Sequence, residues 1–192
     1  MKKINFLFFI ILFSTIGTIS AQSISFGGQL GWSIPQGGVF KPVGGEKSAK
    51  GGLAYDLDAL FLLPNLDEKL GIGLTYKGDL LFGSGSGINL YTLQLYGVKG
   101  YYIFLDSNVT PYAALSLGLS RIGTPNWVAE GGETIKGGKA SSFGLLPEVG
   151  VQFGSFFVAA NYLVPMKYKL ESGSVSAGSI AISVGYRYNI SF

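Results

Sequence analysis

The side chains able to do chemistry in this chain are few, and they interrupt apolar stretches at alternate positions. They are Asp56, Asp58, Lys77, Asp79, Gln94, Glu148, Gln152, Asn161 and Arg187. Carboxylates set among cations can form ion pairs, and the amides between them can complete the hydrogen bonding. Their catalytic reach is narrow. The 192 residues include no His and no Cys. That removes the usual general base, the usual zinc ligands, every Ser-His-acid triad and every disulfide. No metal and no cofactor is expected. Two glycine-rich stretches, GSGSG at 83–87 and GGETIKGGK at 131–139, lack the GKS or GKT ending of a phosphate-binding loop and read as turns.

The elements that must position these groups follow from the front of the chain and the composition. MKKINFLFFIILFSTIGTISAQ has two lysines, an apolar run and a small-residue cleavage site at Ser20-Ala21. Residues 1–21 read as a cleaved signal peptide, leaving 22–192 as one domain. No Cys follows the site, which excludes lipoprotein processing. Net charge is +3, of which the signal peptide carries two, so the mature chain is nearly neutral and nucleic acid is not expected as a partner. Mean hydropathy is +0.38 with only 13% charged residues. Yet no mature segment approaches the ~18 consecutive apolar residues of a membrane helix. A barrel of strands, apolar outside and paired throughout, accommodates both facts.

Eight strands are expected, at 23–34, 52–63, 70–82, 88–104, 109–122, 141–153, 155–165 and 175–192. The connections alternate. Those at 35–51, 83–87, 123–140 and 166–174 form one set, generally the longer. PNLDEK, LDSN and Gly154-Ser155 form the short set. The fold class is therefore all-β, an eight-stranded antiparallel up-and-down transmembrane β-barrel with both termini on the periplasmic side.

Parity sorts the faces. Ile24, Phe26, Leu30, Trp32 and Ile34 alternate with Ser25, Gly27, Gln29, Gly31 and Ser33. Leu53, Tyr55, Leu57 and Phe61 point out and Asp56 and Asp58 in. Ile72, Leu74, Tyr76 and Leu80 point out and Thr75, Lys77 and Asp79 in. In the fourth strand Tyr91, Leu93, Leu95 and Tyr101 are expected outside, and Thr92, Gln94 and Tyr96 inside. Lys99 then has outward parity, to be met by snorkelling or by a bulge. Glu148, Gln152 and Asn161 point in. Two aromatic girdles result. Trp32, Tyr55, Tyr76, Tyr91 and Tyr162 lie toward the outer end, and Phe26, Phe61, Phe153 and Tyr188 toward the periplasmic end.

The final segment, SVSAGSIAISVGYRYNISF, puts Ile180, Ile182, Val184, Tyr186, Tyr188, Ile190 and Phe192 on one face. Ala181, Ser183, Gly185, Arg187, Asn189 and Ser191 take the other. With Pro111-Tyr112 and Asn161-Tyr162, this pattern resembles the small outer-membrane β-barrels of Gram-negative bacteria, of the OmpX/OmpA transmembrane type or the PorT-like type. The resemblance covers 22–192. It implies an outer-membrane location and contact with outer-membrane lipid. It also implies that Tyr188 and the terminal Phe192 are read by the barrel-assembly machinery.

An eight-stranded barrel is filled by its own side chains. The inward charges are therefore expected to form a structural plug, with a narrow conduit as the sharper alternative. Four acids against Lys77 and Arg187 leave two negative charges in surplus unless Lys99 reaches in. The outer loops carry Lys41, Lys47, Lys50, Arg121, Lys136, Lys139, Lys167 and Lys169 against Glu46, Glu130, Glu133 and Glu171. That basic rim suits the phosphates of lipopolysaccharide. Trp127 is a candidate surface anchor. The expected role is structural or adhesive and non-enzymatic. The alternatives are a narrow channel or an accessory of a secretion system. More remotely, the chain is a soluble ligand-carrying barrel with its faces inverted.

Overall fold

The computed structural model describes residues 23–40, 49–63, 68–83, 90–105, 107–125, 127–128, 134–135, 138–170 and 173–191. Residues 1–21, Lys41, Glu46, Lys47, Glu130, Glu133, Lys136, Glu171 and Phe192 lie outside the described residues, as does the side chain of Trp127. Eight long strands follow in order: β1 (Ser23–Gln36), β2 (Ala49–Leu62), β3 (Leu70–Gly83), β4 (Leu90–Ile103), β5 (Thr110–Gly123), β8 (Lys139–Phe153), β9 (Phe156–Leu170) and β10 (Gly173–Ser191). Two elements appear that the patterning does not announce. A small hairpin, β6 (Trp127–Val128) with β7 (Thr134–Ile135), stands between β5 and β8, and a 3-10 turn spans Gly38–Phe40.

Each long strand pairs antiparallel with its chain neighbour, and β1 pairs with both β2 and β10, so the sheet closes without an edge. The closing seam runs from Ser23↔Ser191 to Gln36↔Gly178. Closure gives every long strand a paired neighbour on both sides, which strands with no helical partner layer need. The short turns sit at the end that carries both termini, here the turn end. At the opposite, loop end the connections after β1 and β5 are long, 37–48 and 124–138, but those after β3 and β9 are short, 84–89 and 171–172, because β9 and β10 run on through most of the expected 166–174 loop.

Polarity is inverted relative to a water-soluble protein. Leu74 is 68% exposed, Ile182 64% and Val184 64%, whereas Lys99 is 0% and Asp79 1% exposed. Outward aromatics occupy both ends. Trp32 points outward toward the loop end, Tyr55, Tyr76 and Tyr162 point outward near the middle of their strands, and Phe26, Phe61, Phe153, Phe156 and Tyr188 toward the turn end.

The fourth strand is the correction. Its faces are the reverse of those expected. Tyr91, Leu93, Leu95, Lys99 and Tyr101 point in, and Leu90, Gln94, Tyr96, Val98 and Tyr102 point out. Tyr91 is therefore not a girdle residue, and Gln94 is not a lumen residue. Lys99 needs neither snorkelling nor a bulge. The register of β4 runs unbroken against both β3 and β5. The physical reason is that the barrel interior is apolar at its loop end, so hydrophobicity there does not mark the outside. Tyr96 and Tyr102 supply the outward aromatics instead. Tyr76 stacks on Tyr96 with centroids 4.8 Å apart, and Tyr102 meets Phe104 edge-on at 5.4 Å.

The interior is layered. At the loop end Leu81, Tyr91, Leu93, Leu95, Ile122, Leu146, Leu163 and Tyr168 pack together under Phe40. Phe40 is brought over the top by the 3-10 turn, where Gly38 N–H donates to Ser176 Oγ at 3.0 Å. At the turn end Leu60, Tyr101, Tyr112, Ala114, Phe157 and Ala159 form a second apolar layer. The charged side chains lie between the two.

Candidate functional site

Alternation alone delivers the charged layer. Asp56 and Asp58 from β2, Lys77 and Asp79 from β3, Lys99 from β4, Glu148 from β8 and Arg187 from β10 are all inward and at most 7% exposed. Cross-strand register then sets who meets whom. Gly27 pairs with both Asp58 and Arg187, which brings those two side chains together across β1. A Cβ on Gly27 would stand 2.5 Å from Asp58 Oδ1 and 3.1 Å from Arg187 Nη2. Only glycine leaves room for that pair.

Lys99 is the hub. Its Nζ donates to Asp58 Oδ2 at 2.8 Å and to both oxygens of Glu148 at 3.2 Å. Arg187 Nη2 donates to Asp58 Oδ2 at 3.0 Å and Oδ1 at 3.3 Å. Tyr112 OH donates to Glu148 Oε1 at 3.1 Å, and Gln29 Nε2 to Oε2 at 3.2 Å. The Arg187 guanidinium also lies over the Tyr101 ring at 4.4 Å and the Phe157 ring at 5.2 Å. It thus caps the turn-end aromatic layer, as a weakly hydrated planar cation does well. A second, separate pair joins Lys77 Nζ to Asp79 Oδ1 at 2.9 Å, with Ser179 Oγ donating to Asp79 Oδ2 at 2.6 Å.

With Lys99 inside, four carboxylates face three cations, so the surplus is one negative charge. Asp56 stands outside the salt-bridged set. Its hydrogen-bond partner is the Thr75 hydroxyl, 3.1 Å from Oδ1. The two neighbouring aspartates therefore differ in consequence. Asp58→Asn removes a carboxylate from two buried cations and should cost about 3–5 kcal/mol. Asp56→Asn should cost about 1 kcal/mol or less, because an amide oxygen still accepts from Thr75. Denaturant unfolding of the refolded barrel measures both. Equal costs would contradict this division of roles.

The remaining sequence candidates fall elsewhere. Gln152 sits near the turn end, where its Oε1 accepts from Tyr101 OH at 3.2 Å. Asn161 is inward and buried, opposite Glu148 in register. Gln94 lies on the outer surface, hydrogen-bonded to Tyr76 and Tyr96 at 3.4 and 3.2 Å. Of the basic rim, Lys50, Arg121, Lys139, Lys167 and Lys169 are described, and all are exposed. Arg121 lies 5.9 Å from the Tyr96 ring centre. Every charge on the four strands carrying the exposed rim residues that points outward is a cation at the loop end. Sequence reasoning missed Lys99, Tyr101, Tyr112 and Phe157 as lumen residues. The charge of Lys99 was the available signal.

As a chemical device the layer holds charge across the inside of the barrel. All its acids and bases but Asp56 are tied to one another, and among the described residues no group of acidic side chains is arranged to hold a metal ion.

No family model matches the chain, and no curated protein sequence matches it. Solved structures do. Neisserial surface protein A matches with a TM-score of 0.54 and 17% identity, covering 86% of this chain and 97% of its own. Ail of Yersinia pestis matches at 0.46 and 18%, covering 88% and 100%. OprG of Pseudomonas aeruginosa matches at 0.48 and 14%, covering 88% and 96%. The first carries the comparison. At its level of identity it establishes that this chain shares the fold of that small closed barrel.

Proposed function

We propose that this chain is an integral outer-membrane β-barrel protein with a structural or adhesive role in the Gram-negative envelope. The observation that carries this reading is the pairing of an apolar exterior with a salt-bridged interior layer. An apolar outside matches hydrocarbon, and the Lys99–Asp58–Arg187 and Lys99–Glu148 contacts fill the width of the barrel. With the axis filled, the loops and rim are what the molecule offers to its surroundings.

In this reading residues 1–21 are removed on export. The termini face the periplasm, and Tyr188 with Phe192 serves the barrel-assembly machinery. The cations at the loop end sit at headgroup height. Arg121 and Lys139 occupy neighbouring positions on β5 and β8, since Arg121 pairs with Ser141 and Gly123 with Lys139. Two exposed cations that close suit the phosphates of lipopolysaccharide. No enzymatic activity is proposed for a chain without His or Cys.

Planar-bilayer recording tests the reading against its main rival, a narrow channel. The reconstituted barrel should show heat-modifiable gel mobility and no single-channel conductance. Discrete conductance steps would instead favour the conduit or secretion-accessory role.

A further inference from the structure

Closing the ring requires a choice that alternation cannot make. Following paired residues once around the sheet from Arg121 returns to β5 at Pro111, ten residues nearer the turn end. That stagger is linked to the tilt and diameter of the barrel. It is fixed where β10 meets β1, with Phe26 opposite Tyr188. Sliding this seam by two residues keeps every side chain on its own face, because the side-chain period is two. The stagger would then be eight or twelve, and the ring would still close.

The two strands offer little else to choose by. Outward, β1 presents Phe26, Leu30 and Trp32, and β10 presents Ile182, Val184 and Tyr188, so a slip exchanges one apolar neighbour for another. Inward, both carry mainly Gly, Ser and Ala. Arg187 is the single charged residue of either strand.

In the observed register Arg187 faces Gly27 and, beyond it, Asp58, which its Nη2 reaches at 3.0 Å. A slip to stagger eight would set Arg187 against Ser25 and, beyond it, Leu60, an apolar member of the turn-end layer. A slip to twelve would set it against Gln29 and, beyond it, Asp56. An acid stands there as well, but the Gln29 side chain lies between. Only the Gly27 position combines an acid behind it with no Cβ in front. The other seam of β10 carries a similar device. Phe157 of β9 lies over Gly185, where a Cβ would run into the ring, and Arg187 lies 5.2 Å from the centre of that ring.

We propose that Arg187 is the register key of barrel closure: seated over the Gly27 gap onto Asp58, it selects the stagger of ten over eight and twelve. The energetic reason is the asymmetry of the seam. A slip costs the apolar exterior little, but it strands a buried cation, and an unpaired buried charge is among the costliest defects a fold can carry. The charged layer therefore does more than fill the barrel. It decides which of three closed barrels the chain makes. This role is independent of what the loops contact.

Paired cysteines read the register without background, since the chain has no Cys of its own. Phe26→Cys is combined in turn with Tyr188→Cys for stagger ten, Tyr186→Cys for eight and Ile190→Cys for twelve. A slip of two preserves the hydrogen-bonding class of the pair, so the three compare on equal terms. Each chain is refolded reduced into lipid vesicles, closure is checked by heat-modifiable gel mobility, and the pair is then oxidised. With Arg187 in place only the Tyr188 pair should cross-link. With Arg187→Met, cross-linking through Tyr186 or Ile190 should rise about tenfold. An Arg187→Met barrel that closes in the native register alone overturns the proposal. Should this variant not close by itself, oxidising its Phe26–Tyr188 pair during refolding imposes the stagger covalently and should restore closure; no rescue overturns the proposal. A second variant keeps every charge and moves the gap. Gly27→Gln with Gln29→Gly blocks the path from Arg187 to Asp58 and opens the path to Asp56. Its cross-link should pass from the Tyr188 pair to the Ile190 pair. Continued cross-linking through Tyr188 in that variant also overturns the proposal.

Discussion

Replacing Lys99 with methionine should destabilise the barrel by about 3–5 kcal/mol, the usual cost of stranding buried partners of a removed charge. Lys99 is fully buried and bridges Asp58 and Glu148. Methionine keeps the length of the side chain but leaves both carboxylates without their shared cation. Adding Glu148→Gln should recover part of the loss, because one of the stranded charges is then gone. Urea unfolding of the barrel refolded in lipid vesicles, followed by tryptophan fluorescence, measures the difference. The sign is diagnostic. A lysine facing hydrocarbon would be a liability, and its replacement by methionine would stabilise. A stabilised variant would therefore return Lys99 to the outside and undo the inverted reading of β4.

Leu30→Arg should cost about 2–4 kcal/mol in a bilayer, the range for arginine on the lipid face near the midplane of a membrane barrel. Leu30 points outward and is 59% exposed, eighth of the fourteen residues of β1. On a soluble protein a substitution at so exposed a site would fall within about 0.5 kcal/mol of neutral. The same unfolding experiment decides. A change near zero would mean that the apolar exterior meets something other than hydrocarbon, and a partner protein or a soluble carrier would have to cover it. The two variants are independent probes. Lys99 reports on the inside of the barrel and Leu30 on the outside, on strands that are not neighbours in the sheet.

The layered interior bears on both. In a soluble barrel the apolar layers would form the whole core and the outside would be polar. Here two apolar layers bracket a charged one. The charges are tolerated because each salt-bridged group meets a partner of opposite sign at hydrogen-bond distance. Arg187 also rests on Tyr101, which lets a cation adjoin the turn-end aromatics without being exposed to them bare.

Much of this was fixed by local chemistry. The period-two alternation and the set of turn residues determine an all-β chain of eight strands with its acids in β2, β3 and the sixth long strand held to one face. In β1 and β10, and through the middle of β2 and β3, a polar or small set alternates with an apolar set, so parity there admits one solution. Asp56, Asp58, Lys77 and Asp79 were legible for that reason. The tertiary structure alone decided three things. It decided the faces of β4, where Tyr91, Leu93 and Leu95 are apolar on one side and Tyr96, Val98 and Tyr102 on the other. With both faces apolar, hydrophobicity loses its discriminating power, and only the burial cost of Lys99 breaks the tie. It decided which charges pair, since Asp58 meets Arg187 across β1 only because closure brings β10 beside it, and one strand cannot encode a partner 129 residues away. And it decided that the ladder between β8 and β9 is the shortest of the eight, six pairs from Glu148↔Asn161 to Phe153↔Phe156. Pro147 and Pro165 are visible in the sequence, but whether a missing N–H shortens a ladder depends on the opposing strand, and that is set by the register of the closed ring.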